Sequence, residues 1–289
     1  MLGILGAVAS IATAGCGIWY VHNFYQDTIR TARNFYGVLR VQESEPGTSS
    51  WHRSLIHGTI LHGDQYLAPE YRRRPTTYYT RTSGIGRVLE SLNPRLAPLK
   101  VGVIGLGTGT IATYGAKGDT YRFYDINPDV VAIAQRDFTY LGDSAAKIEL
   151  PLGDARLSLE REPKQNFDVL AIDAFSSDAI PVHLITSEAL AIYKRHMKPG
   201  GVIAFHVTNR FLDLVPVVQA LADAQGLSAI LIRDNTKDGM TSTSDWVLLS
   251  DDPASLAKPE LASFATPIEP RLDWRLWTDD FNNLLQVLR

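Results

Sequence analysis

The sequence has a single cysteine, Cys16, among its 289 residues. One cysteine cannot form an internal disulfide, and it cannot build a cysteine-based zinc site. The chain also lacks an excess of charge, because 28 basic and 31 acidic side chains give a formal net charge of −3. This balance implies no polyanion partner, and the sequence contains no nucleic-acid-binding motif.

The first 21 residues lack charged side chains, and that length just spans the hydrocarbon core of a bilayer. We therefore interpret residues 1–22 as a possible membrane helix, with a buried or partner-packed helix and a processed signal as alternatives. Arg30 and Arg33 follow the segment, so a spanning helix would leave the remaining chain on the cytoplasmic side of a bacterial inner membrane. Without insertion, the chain is expected to be cytoplasmic.

Two zones follow the apolar segment. The first alternates apolar and polar residues between glycine turn signals, which predicts short antiparallel strands over residues 33–80. In the second, over residues 84–289, apolar strands alternate with helical stretches, as in a parallel sheet covered on both faces. Ser228–Arg233 and Trp246–Leu249 are predicted to pair antiparallel at its edge. The sequence therefore predicts an α/β fold with a seven-stranded, Rossmann-like sheet and a small N-terminal β cap.

A glycine-rich loop and two acidic residues indicate a nucleoside site. Gly105, Gly107 and Gly109 directly follow a predicted strand, where glycines let the backbone approach a ligand closely. Asp125 ends the next strand, where a carboxylate can bind both hydroxyls of a ribose. Asp154 ends the third strand and can accept the exocyclic amine of an adenine. Because these strand ends meet in one crevice, we expect an adenine nucleoside there, and the G-x-G-x-G spacing disfavours a dinucleotide.

Two further carboxylates follow the fourth predicted strand. Asp173 lies at the strand tip and Asp178 five residues later. Carboxylates at that position can hold a cationic nucleophile or take its proton. Helix capping is the alternative role for Asp178.

The histidines share no metal-ligand spacing, so they are interpreted as structural and no metal site is predicted. For His206, which lies at a predicted strand tip, the alternative is a position at the border of the substrate pocket. The four that were considered are His57, His62, His183 and His206.

Several motifs spread over residues 33–288 carry a family resemblance. They are residues 33–41, His57-Gly-Thr59, His62-Gly-Asp-Gln65, residues 75–79, the loop at Gly105, residues 123–128, Gly153-Asp-Ala155, residues 173–183 and Thr278–Leu285. Together they resemble the spermidine synthase-like domain of the polyamine aminopropyltransferases, in the bacterial branch where that domain follows membrane helices.

The resemblance implies a class I methyltransferase-like sheet that binds decarboxylated S-adenosylmethionine and transfers its aminopropyl group to a diamine such as putrescine. It also implies a homodimer. The catalytic carboxylate would be Asp173. The co-substrate would be bound by Gln65, Gly105, Gly107, Thr108, Gly109, Asp125, Asp154 and Ala155, and the amine by Tyr78, Tyr79 and Asp178.

Two departures from the family pattern leave other functions open. The family usually carries an aspartate where this chain has Thr108, and its two loop aspartates are three residues apart instead of five. That aspartate would repel the carboxylate of ordinary S-adenosylmethionine. The alternatives are therefore an S-adenosylmethionine-dependent small-molecule methyltransferase and a non-catalytic nucleoside- or polyamine-binding domain of a membrane protein.

Overall fold

The protein is described here by a computed structural model. It describes residues 2–93, 97–174, 181–236, 238–269 and 275–289. Two sheets form within these ranges: a four-stranded antiparallel sheet near the N-terminus and an eight-stranded mixed sheet.

The large sheet confirms the predicted Rossmann-like arrangement. Its strands are β5 (Lys100–Ile104), β6 (Thr120–Tyr124), β7 (Lys147–Glu149), β8 (Phe167–Ile172), β9 (Met197–His206), β10 (Ser228–Asp234), β11 (Ser244–Ser250) and β12 (Ala265–Thr266). Their spatial order is β12-β10-β11-β9-β8-β5-β6-β7. The five strands from β9 to β7 are parallel, and β11 pairs antiparallel with both β9 and β10. The predicted count of seven is wrong by one, because the two-residue β12 adds to the edge.

Both faces of the large sheet are buried. In β8, Leu170 and Ile172 belong to the apolar cluster on one face, whereas Val169 and Ala171 belong to the cluster on the other. This explains why the sequence of the strand is continuously apolar rather than alternating.

Helices of ordinary length cover the large sheet, and short ones connect its strands. They are α2 (Gly84–Ser91), α3 (Pro128–Asp137), α4 (Tyr140–Asp143), α5 (Ala155–Arg161), α6 (Ser187–Arg195), α7 (Val215–Ala224), α8 (Pro253–Leu256) and α9 (Pro259–Ala262), with 3₁₀ turns at Thr110–Tyr114, Val182–Leu184 and Leu284–Val287. Pro128 occupies the first turn of α3, where its missing N–H costs nothing. The side chain of Asn127 caps that helix by accepting the Asp129 N–H.

The four-stranded sheet lies in the region of the predicted β cap, but it spans residues 28–66 instead of 33–80. Its strands are β1 (Thr28–Asn34), β2 (Gly37–Ser44), β3 (His52–His57) and β4 (Ile60–Tyr66). Leu39, Val41 and Leu55 of this sheet pack on Ile133 and Phe138 at the end of α3. Hydrogen bonds also join the small sheet to α3 and its N-cap: Arg30 Nε lies 2.8 Å from Asp137 Oδ2, and Asn34 Nδ2 lies 2.6 Å from Asn127 Oδ1.

The apolar N-terminal segment forms a helix, α1 (Leu2–Tyr25). Of the helices within the described residues, none combines the length and the hydropathy of a membrane-spanning segment. This finding gives the membrane-helix interpretation of residues 1–22 no support. The C-terminal end of α1 is anchored by Arg40, which donates to the Phe24 carbonyl and lies over the Phe24 ring.

Candidate active site

A cavity lies between the small sheet and the carboxyl ends of the parallel strands. The empty space within it, counted together with the open solvent at its mouth, is about 840 Å³. The small sheet contributes Leu39, Leu55, His57 and His62, and the large sheet contributes residues that follow β5, β6, β7 and β8. Of the predicted nucleoside and catalytic residues, those on this wall are Gly105, Gly107, Asp125, Asp154, Ala155 and Asp173.

The backbone of the glycine loop lies close to both the small sheet and the large sheet. A Cβ on Gly105, at φ +97°, would lie 2.2 Å from the Asp173 carbonyl oxygen, and one on Gly107, at φ +53°, would lie 2.8 Å from the His62 carbonyl oxygen. No other residue fits these two positions without displacing backbone. The loop is further tied to Asp125, whose carboxylate accepts the Leu106 N–H at 3.0 Å and the Asn127 N–H at 2.8 Å. Burial raises the pKa of Asp125.

Asp154 already has two partners in the structure. One oxygen caps α5 by accepting the Leu157 N–H at 2.8 Å, and the other lies 2.9 Å from Nε2 of His183. An adenine amine would therefore use a remaining lone pair of Asp154 or replace His183, which is half exposed.

Asp173 is the centre of a buried polar cluster. One carboxylate oxygen accepts the hydroxyl of Tyr79, and the other lies 2.6 Å from Nδ1 of His206. The side chains of Asp173 and His206 are 3 % and 5 % exposed. Burial, and next the charge of Asp173, raise the pKa of Tyr79 well above its usual value. The phenol therefore stays protonated and can only donate to the carboxylate.

The imidazole of His206 is held between two aromatic rings. Tyr78 stacks on one face with ring centroids 4.5 Å apart, and Trp246 stacks on the other at 4.7 Å. Trp246 is the cross-strand neighbour of His206, and its indole N–H bonds to the Tyr78 carbonyl at 3.2 Å. This packing fixes the plane of the ring, in which Nδ1 lies toward Asp173.

A second cavity opens on the other side of this cluster. Its wall includes His62, Tyr78, His206, Thr208, Asn209 and Ser242. His62 lines both cavities, whereas Asp173 lines the first and His206 the second. The cluster around Asp173 thus lies where the two cavities approach each other.

Several predicted site residues lie elsewhere. The amide of Gln65 is fully buried and bonds to Thr139 and to the Arg72 carbonyl, so it ties β4 to neighbouring segments. The hydroxyl of Thr108 is buried 2.9 Å from that of Thr110. Neither of these residues, nor Gly109, lines the first cavity. Asp178 lies outside the described residues.

The structure places all four histidines that were interpreted as structural in the cavity walls: His57, His62, His183 and His206. Only His206 carried a usable signal, its position at a strand tip. His57 and His62 gave none, because their approach to the glycine loop depends on how the small sheet docks.

His62 predicts a pH-dependent stability. Burial, and next the neighbouring His57, lower its pKa to about 4 in the folded protein, against about 6.5 in an unfolded chain. Between these values the unfolded state binds the proton and the folded state does not, so stability falls as the pH is lowered. We expect wild type to lose about 2 kcal/mol more than His62→Gln in the free energy of unfolding between pH 7 and pH 5. Urea denaturation at the two pH values measures this, and equal losses would contradict it.

Comparison with known sequences finds similarity to polyamine aminopropyltransferases, while no family model matches the chain. The polyamine aminopropyltransferase of Vibrio vulnificus is 32 % identical over 126 residues, which are 41 % of this chain and 39 % of that protein. A probable polyamine aminopropyl transferase of Bifidobacterium longum is 22 % identical over 263 residues, 87 % of this chain and 53 % of that protein. The chain thus spans about two fifths to one half of the length of these relatives.

Solved structures show the same fold. A probable spermidine synthase from Corynebacterium glutamicum matches with a TM-score of 0.58 and 15 % identity, covering 76 % of this chain and 79 % of that one. A spermidine synthase in complex with the transition state analogue AdoDATO matches with a TM-score of 0.56 and 15 % identity, covering 83 % and 86 %. The fold is therefore the one found in spermidine synthases, and the sequence similarity to polyamine aminopropyltransferases points in the same direction.

Proposed function

We propose that the chain transfers the aminopropyl group of decarboxylated S-adenosylmethionine to a primary amine, for which the resemblance suggests a diamine such as putrescine. The observation that carries the proposal is the position of Asp173, a carboxylate at the tip of β8 where two cavities approach each other. In this proposal the first cavity would hold the nucleoside and the second the amine.

The residues of the first cavity suit an adenine nucleoside. Asp125, already oriented by two backbone N–H groups, would bind the ribose hydroxyls. Asp154 and Ala155 would border the adenine, and Gly105 and Gly107, which line the same cavity, would border the sugar and sulfur. The sulfonium would then lie toward Asp173, at the end of the cavity nearest the acceptor.

Asp173 would bind the acceptor as an ammonium and take its proton. A primary amine with a pKa of about 10 is mostly protonated at neutral pH, and only the free base is a nucleophile. Its nitrogen would attack the methylene bound to sulfur, and the carbon–sulfur bond would break with its electron pair left on sulfur. The products would be a thioether nucleoside and a secondary amine, and the proton would pass from Asp173 to water. Alignment within the two cavities would supply much of the acceleration.

Methyl transfer from ordinary S-adenosylmethionine is the second candidate. It is favoured by Thr108, a neutral side chain whose hydroxyl bonds to Thr110. This position therefore adds no negative charge that would repel the carboxylate of the methionine tail.

Calorimetric binding of the two forms of the co-substrate, followed by product analysis with a panel of diamines, separates the candidates. Tighter binding of the decarboxylated form and a polyamine product are expected. Tighter binding of the carboxylated form without polyamine product would replace aminopropyl transfer by methyl transfer. Sedimentation analysis of the same sample tests the homodimer.

A further inference from the structure

His62 is distinguished by an unsatisfied ring nitrogen in the wall of the first cavity. The carboxylates of Asp125, Asp154 and Asp173 all have hydrogen-bond partners, and Nε2 of His57 lies 2.8 Å from the Tyr36 carbonyl oxygen. Nε2 of His62 is buried and has no partner. Of the described residues that line this cavity, His62 alone has a buried side-chain nitrogen or oxygen in that condition.

An unmade hydrogen bond of this kind is costly. Leaving a buried donor or acceptor unsatisfied costs about as much as a good hydrogen bond returns, so such atoms are rare in folded proteins. An unsatisfied buried atom in a folded protein therefore needs an explanation, and one physical explanation is a ligand that makes the missing hydrogen bond when it binds.

The position of His62 shows which part of a ligand it would meet. His62 lines both cavities, and its backbone carbonyl oxygen lies close to Gly107. A nucleoside with its ribose at Asp125 and its sulfur toward Asp173 directs its tail to the passage between the cavities. His62 lies at that passage.

We propose that Nε2 of His62 accepts a hydrogen bond from the terminal ammonium of the aminopropyl tail. This inference rests on the proposed function and adds a specificity-determining residue to it. The chemistry of the ring is suitable, because the lowered pKa of His62 keeps it neutral at physiological pH. With the proton on Nδ1, Nε2 presents its lone pair. A neutral acceptor can hold an ammonium without adding a second negative charge beside Asp173.

Two ligands test the proposal. Decarboxylated S-adenosylmethionine carries the tail, whereas the dimethylsulfonium analogue of adenosine keeps the nucleoside and the sulfonium but has no amine. We expect His62→Leu to weaken calorimetric binding of the tailed ligand about 10- to 100-fold, the range for a hydrogen bond to a charged group. Binding of the tail-less analogue should change less than about threefold, which also shows that the variant is folded.

Two variants complete the design. His62→Gln retains an acceptor oxygen and should recover most of the affinity for the tailed ligand. His52→Leu removes a histidine from the neighbouring strand β3 that lines neither cavity, and it should leave both affinities unchanged.

Two results would overturn the proposal while leaving aminopropyl transfer in place. Equal weakening of both ligands by His62→Leu would mean that the ring supports the cavity as a whole. Unchanged binding of the tailed ligand, with a raised KM for the amine, would assign His62 to the acceptor. A wild-type protein that binds neither ligand would instead remove the proposed function itself and the inference with it.

Discussion

Replacing Asp173 by asparagine is expected to lower kcat for aminopropyl transfer by about 10³-fold, within the range for loss of a general base. Asparagine has nearly the same shape but no negative charge. It cannot take the proton of the acceptor, and its amide group cannot accept from both Tyr79 and His206 as the carboxylate does. Product formation under saturating co-substrate and amine measures the effect.

Strand β8 offers a matched control for this substitution. Asp168 lies near the opposite end of the same strand, where its oxygens lie 2.7 Å from Nζ of Lys198. Asp168→Asn removes the same charge from the same strand without touching either cavity, so its kcat should stay within a few-fold of wild type. Activity above one tenth of wild type in Asp173→Asn would show that this carboxylate is not the base.

The strands that form the wall of the first cavity could be predicted because their sequence pattern is local. The apolar run of β8 begins and ends at the predicted residues, Phe167 and Ile172. Asp125 and Asp173 then follow their strands directly. Since parallel strands end at one edge of a sheet, the meeting of these two side chains in one cavity needed no knowledge of distant contacts.

The environment of Asp173 could not be predicted in this way. Tyr78, His206 and Trp246 are separated by 128 and 40 residues in the sequence, yet their rings stack in succession. Their contact depends on the antiparallel register of β9 with β11 and on the path of the chain between the two sheets. Neither follows from composition or periodicity.

The resemblance also assigned roles that depend on side-chain orientation. Gln65 and Thr108 were expected to bind the co-substrate, but in the structure each bonds to neighbouring protein groups. A motif fixes which residue stands at a position. It does not fix whether that side chain faces the cavity, because strand twist and local hydrogen bonds decide the direction.

Replacing Gly105 by alanine is expected to lower the free energy of unfolding by about 2–5 kcal/mol and to abolish nucleoside binding. About 1–2 kcal/mol of this follows from a side chain at positive φ, and about 1–3 kcal/mol from overpacking. The added Cβ would lie 2.2 Å from the Asp173 carbonyl oxygen. Backbone bonds hold both segments in place, since the Gly105 N–H bonds to the Tyr124 carbonyl and the Asp173 N–H to the Ile104 carbonyl, each at 2.8 Å. Relief of the clash must therefore move the loop or Asp173.

Gly47 offers a control for this substitution. There an added side chain would have a positive φ but no close contact, so the two contributions to the free energy of unfolding can be measured apart. Gly47 lies between β2 and β3 at φ +81°, and a Cβ there would meet nothing within 4 Å. Gly47→Ala should therefore cost only the conformational part, about 1–2 kcal/mol, and leave nucleoside affinity unchanged. Urea denaturation and calorimetry on both variants give the comparison. Equal destabilisation by Gly105→Ala and Gly47→Ala would mean that the loop at Gly105 can shift freely. In that case the tight contact between this loop and the tip of β8 does not position Asp173.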